Sequence, residues 1–149
     1  MTAQPLIDRI VRLEENRFHD AYPDPLTGGA PWTIGEGHTG PEVHEGLVWS
    51  DAQIDTAKAA DILAATNACL AHFPWFNSLD EVRRAVLIAM AFQLGMPRLL
   101  GFVLFLGAMR DQRWNAAAGE IRDSLWHKQT FLRAERCARA IETGASEWC

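Results

Sequence analysis

Tyr22-Pro23-Asp24-Pro25-Leu26-Thr27-Gly28-Gly29-Ala30-Pro31-Trp32-Thr33-Ile34-Gly35-Glu36-Gly37-His38 is the stretch whose reading decides the fold of this chain. Its prolines and glycines interrupt any helical period, so it reads as short strands separated by turns. Asp24 lies between Pro23 and Pro25, which restrict the local backbone and suit a turn. In the strand beyond the turn, Thr33 points to the face opposite Trp32 and Ile34. Thr33 comes nine residues after Asp24 and eighteen after Glu15. A carboxylic acid, a carboxylate and a hydroxyl can together protonate a departing glycosidic oxygen, hold negative charge and orient a water molecule. Glu15, Asp24 and Thr33 are therefore the candidate catalytic residues of a sugar-cleaving site.

Outward from this stretch, residues 5–15 carry Leu6, Ile7, Ile10, Val11 and Leu13 at helical spacing, with Asn16 as a terminator. Residues 17–40 predict a small β-sheet with turns. Ser50 is a good N-cap before Asp51, and the helix it opens is expected to run past Cys69 towards Pro74. Ser78 is expected to cap a second helix, with Asp80 and Glu81 in its first turn and an apolar stretch from Val82 to Leu94. Pro97, Gly101 and Gly107 break up the region beyond Leu94, and two or three shorter helices are expected to complete the chain. The fold class predicted is α+β, in one domain over 1–149. A small β-containing lobe near 17–50 and a larger helical lobe near 75–149 are joined by helix 51–73, with helix 5–15 packing near the cleft between them.

Composition sets outer bounds. A chain of 149 residues with 48% hydrophobic residues is long enough to bury one sizeable core. Its formal net charge of −5 argues against general affinity for nucleic acid or anionic membranes, and against electrostatic steering onto an anionic cell wall. Cys69, Cys137 and Cys149 are an odd number without metal-ligand spacing, so free thiols and a reducing compartment are expected. The five histidines, His19, His38, His44, His72 and His127, likewise lack ligand spacing, and no metal or other cofactor is expected. The start of the chain has no basic segment followed by an apolar one, so no signal peptide or anchor is expected. The longest apolar run, Leu99 to Met109, is about half a membrane span, and no stable membrane insertion is expected.

The quoted stretch, with Glu15 seven residues before Tyr22, resembles the phage-type lysozymes, the muramidase family of T-even and lambdoid phage endolysins. The resemblance continues through Arg83-Arg84-Ala85, Ala91-Phe92-Gln93-Leu94-Gly95, Arg113-Trp114 and Trp126-His127-Lys128-Gln129-Thr130, with Arg133 and Arg136 beyond. It implies a lysozyme-like fold and hydrolysis of the β-1,4 bond between N-acetylmuramic acid and N-acetylglucosamine in peptidoglycan glycan strands. It also implies a monomer that accumulates in the host cytoplasm and reaches the wall after holin-dependent release. By the family pattern Glu15 is the general acid, Asp24 orients water or stabilises positive charge on the sugar, and Thr33 helps hold the attacking water, which implies inversion. Gln93, Phe102, Trp126, Gln129 and Arg133 are the expected substrate-binding residues; Gln93, Trp126 and Gln129 suit packing or surface roles equally well. His38 matches a histidine that pairs with an acid, for which Asp61 is the candidate here.

Several residues depart from the family pattern. Asn16 replaces a usual glycine and the arginine after it is displaced to Arg17, so Glu14 stays open as the acid; helical periodicity favours neither glutamate. Glu36 stands where an aromatic or aliphatic residue is common and is expected to add negative charge near the cleft. The run Phe102 to Leu106 is more apolar than usual and is read either as a deeper core or as an exposed partner site. Two other functions stay in view: a wall-binding module of a phage tail that keeps the fold without turnover, and a lytic transglycosylase, for which Asp24 and Thr33 would be surplus.

Overall fold

The structure, a computed structural model, describes residues 16–148. The expected helix over 5–15, and Glu14 and Glu15 with it, lie outside the described residues. Three antiparallel strands, β1 (Phe18–Tyr22), β2 (Thr33–Gly35) and β3 (His38–Thr39), form one sheet in sequence order. Seven α-helices come after them among the described residues: α1 (Asp51–His72), α2 (Glu81–Leu94), α3 (Met96–Leu100), α4 (Val103–Arg110), α5 (Trp114–Arg122), α6 (Leu125–Gln129) and α7 (Phe131–Thr143). The α+β, lysozyme-like architecture read from the sequence is the one observed.

The first helix starts where its chemistry requires. The Ser50 hydroxyl accepts from the Gln53 amide at 3.2 Å, and the Gln53 side chain accepts from the Ser50 amide at 2.9 Å, a reciprocal capping box. Ile54, Lys58, Ile62, Ala65 and Cys69 recur at intervals of three or four and form its buried stripe. The N-terminal half of that stripe receives the sheet. Gly35, at φ +68°, lies against Ile54, and a Cβ there would come within 3.2 Å of the Ile54 side chain. The C-terminal half packs on α2, where the Cys69 thiol reaches the Leu87 carbonyl at 3.9 Å. Burial in this apolar layer pushes the Cys69 thiol up to about 12, which suppresses its thiolate chemistry.

The helical lobe departs from expectation in three places. Ser78 does not cap α2: its hydroxyl donates back to the Trp75 carbonyl within a 3-10 turn (Phe76–Ser78), and Asp80 accepts from the Arg83 amide instead. The cap falls two residues later because the turn consumes Ser78. Five helices, rather than two or three, come after α2. Gly107 does not break α4, since a glycine alone weakens a helix by only about 1 kcal/mol and packing outweighs that.

The run Phe102 to Leu106 divides between its two readings. Phe105 is buried and Phe102 and Leu106 pack on the core, while Val103 and Leu104 are each 70% exposed.

Arg83 fastens the lobe. Its Nε donates to the Ile141 carbonyl at 2.7 Å, near the end of α7, and its guanidinium carbon lies 3.9 Å from the centre of the Trp114 ring. Glu135 on α7 gathers Arg122, His127 and Arg139 at 2.9–3.3 Å, so α5, α6 and α7 share one carboxylate. The Arg122 hydrogen bond, first among these, holds that carboxyl down at about 2.

Candidate active site

The sheet and the two longest helices meet around a cleft of about 290 Å³. Gly37 and Thr39 line it from the β2–β3 hairpin, Asp61, Ala64, Ala65 and Ala68 from α1, and Ala91, Phe92 and Met96 from the far wall. The small side chains of α1 leave the floor open, so the cleft lies between the β2–β3 hairpin and the end of α2.

Register places Thr33 with respect to this cleft. Thr33 pairs with Thr39 on β3 and with Tyr22 on β1. Directly opposed residues of an antiparallel pair share a sheet face, so Thr33 emerges on the face of Thr39, a cleft residue. Ile34 and His38 take the other face, where Ile34 is fully buried.

Two residues past Tyr22 the chain turns at Asp24. The Asp24 Oδ1 accepts from the Leu26 amide at 2.7 Å, while its backbone exchanges hydrogen bonds with Gly28 and Gly29. This turn fixes the carboxylate as the Pro23 and Pro25 flanks suggest.

On the opposite wall Gln93 comes directly after Phe92 at the end of α2. Among the described residues neither its side-chain oxygen nor its nitrogen has a hydrogen-bond partner, and both are shut away from solvent. Such an amide is costly to leave unpaired. Phe102 lines a separate depression of about 330 Å³ with Val103, Leu104, Phe105, Glu120 and Ser124. Trp126, expected to line the groove, is only 4% exposed and meets Phe102 edge-on at 6.4 Å, so it is a core residue supporting that wall. Gln129 is exposed at the end of α6, and Arg133 is half-buried in the first turn of α7. Glu15 lies outside the described residues.

His38 pairs with Asp61 of the cleft lining. Its Nδ1 lies 2.6 Å from Asp61 and its Nε2 2.5 Å from Glu42, so both ring nitrogens face carboxylates and the doubly protonated ring satisfies both. The Asp61 pairing is the one expected; the Glu42 pairing is additional. Burial alone would lower the histidine, but the hydrogen bonds it donates to Glu42 and Asp61 outweigh it and raise it above its usual 6.5. A raised folded value means the pair stabilises the fold fully below about 6.5 and loses that contribution as pH rises through the folded value. Thermal melts of the wild type and His38→Asn should therefore differ most at pH 6 and converge towards pH 9. A constant gap across that range would show that the imidazolium is not the stabilising species.

Glu36 is not a cleft charge as expected. It is 4% exposed, beneath the hairpin, with Lys58 Nζ 3.3 Å from its Oε2 and Arg17 3.6 Å from its Oε1. Lys58 is absent from the residues singled out by sequence, although its place on the stripe of Ile54 and Ile62 is the signal that finds it: a lysine among buried apolar positions needs a counter-charge.

The chain belongs to the phage lysozyme family, whose sequence pattern matches residues 13–138. It is 36% identical over 69 residues to the probable T4-type lysozyme 1 of Dictyostelium discoideum and 35% identical over 69 residues to the probable T4-type lysozyme 2, matches covering 46% of this chain and 41% of each relative. It is also 38% identical over 74 residues to the pre-baseplate central spike protein Gp5 of Enterobacteria phage T4, covering 50% of this chain and 13% of that protein. The match thus spans about two fifths of the length of the Dictyostelium relatives. No helix among the described residues is long and apolar enough to cross a membrane.

Proposed function

We propose that the protein is a peptidoglycan hydrolase that cleaves the β-1,4 bond between N-acetylmuramic acid and N-acetylglucosamine with inversion. The observation that carries this reading is that Thr33 shares a sheet face with the cleft residue Thr39 and pairs with Tyr22, two residues before the Asp24 turn, in a chain of the phage lysozyme family. Glu15 protonates the leaving oxygen. The Asp24 carboxylate and Thr33 hydroxyl orient water on the opposite side of the sugar, and an inverting pair needs carboxyl groups about 6.5–9.5 Å apart to admit it.

The glycan strand lies along the cleft between Thr39 and Phe92. The Gln93 amide gains partners from it, and Gln129 and Arg133 are further candidate contacts. In this reading the protein is a monomeric endolysin, held in the host cytoplasm until a holin releases it. The likeness to a baseplate spike protein supports a second setting, as a wall-directed part of a phage tail.

Clearing of a purified peptidoglycan suspension, with the new ends analysed, tests the chemistry. Reducing ends that first appear as the inverted anomer are expected. Anhydro ends would indicate transglycosylation, a retained anomer would remove the water-mediated step, and no clearing would favour a binding module.

A further inference from the structure

Glu36 and its two cations take no part in the chemistry above, yet they join its parts. Glu36 lies at the end of β2, three residues after Thr33, and Arg17 opens β1 two residues after Glu15. The Arg17 guanidinium is held on three sides, by Asp51 at 2.9 Å and Asp55 at 2.5 Å from the first turns of α1, and by Glu36 at 3.6 Å. Lys58, 7% exposed on the buried stripe of α1, faces the other oxygen of Glu36 at 3.3 Å, a charge contact without the alignment of a hydrogen bond.

A carboxylate buried beneath a short hairpin is costly unless paired, and replacement of such a pair by apolar side chains is often neutral for stability. Stability alone therefore does not account for the pair. The same carboxylate contacts the segment that leaves Glu15, the hairpin that carries Thr33, and the helix that floors the cleft.

We propose that Glu36 is a positioning residue, which, through Arg17 and Lys58, holds the segment leaving Glu15 in fixed relation to the strand bearing Thr33. This inference rests on the assignment of Glu15 and Thr33 made above. The acid and the water-holding hydroxyl come from separate segments, and misplacement by about 1 Å can cost on the order of a hundredfold in rate. The Arg17–Glu36 contact crosses between those segments directly.

The test compares the wild type with Glu36→Leu/Lys58→Met, with Arg17→Met, and with the triple variant, on a soluble peptidoglycan oligosaccharide. The double variant should melt no lower than the wild type, yet lose about tenfold to a hundredfold in kcat with KM within about twofold. Arg17→Met should lose kcat similarly, and the triple variant should lose little more than either, because the changes break one link. Full kcat in the double variant, or losses that multiply in the triple variant, overturns the proposal. Should the double variant fail to fold, Arg17→Met alone decides: full kcat overturns the proposal and a loss confined to kcat upholds it. A wild type that does not cleave the oligosaccharide defeats the functional reading instead.

Discussion

Glu15→Gln is expected to abolish wall clearing while leaving the melting temperature unchanged. The amide has nearly the shape of the carboxyl but no proton to give the leaving oxygen, and loss of a general acid lowers turnover by about a hundredfold or more. The neighbouring glutamate is the built-in control. Glu14→Gln should keep most of its activity, and the reverse outcome would move the assignment by one residue. In sequence Glu15 comes two residues before Arg17, whose guanidinium is tied to Asp51 and Asp55.

The second large effect is on stability. Lys58→Met alone should destabilise the protein by about 3–5 kcal/mol, because it leaves the Glu36 carboxylate, in a site that is 4% exposed, with only the more distant Arg17 at 3.6 Å. Methionine fills most of the lysine volume, so the loss reports the missing counter-charge and not a cavity. Urea unfolding monitored by tryptophan fluorescence would measure it. A change below about 1 kcal/mol would mean that water reaches Glu36 readily and that the pair is not buried in the energetic sense.

Legibility of the sequence divides along a physical line between local and distant interactions. The start of α1 is legible because the Ser50 to Gln53 capping box is local, and its end because Pro74 comes close behind. The sheet is legible because glycine and proline punctuate it, and the Thr33 face because strand alternation is local as well. The family resemblance locates Asp61 opposite His38, which spacing alone does not.

Pairings across the fold stay hidden. Glu36 reads as a cleft charge in sequence because nothing adjacent shows that Lys58, twenty-two residues on, lies beneath the hairpin. Trp126 suits the groove on sequence grounds because an aromatic side chain looks alike in a core or on a wall. Only the packing of Phe102 against it decides. Ser78 and Asp80 both suit an N-cap, and the 3-10 turn makes the choice.

The fastening made by Arg83 also bears on the order in which the chain can be completed. Its partner, the Ile141 carbonyl, lies fifty-eight residues downstream, and Gly144 ends α7 with a Cβ position only 3.0 Å from the same guanidinium. During synthesis, α2 must therefore wait for nearly the whole of the helical lobe to leave the ribosome before Arg83 finds its acceptor. A fragment trimmed to the family match, ending at residue 138, would lack that carbonyl and the last turn of α7. The smallest unit worth expressing accordingly runs through Gly144, six residues past the point where sequence similarity ceases.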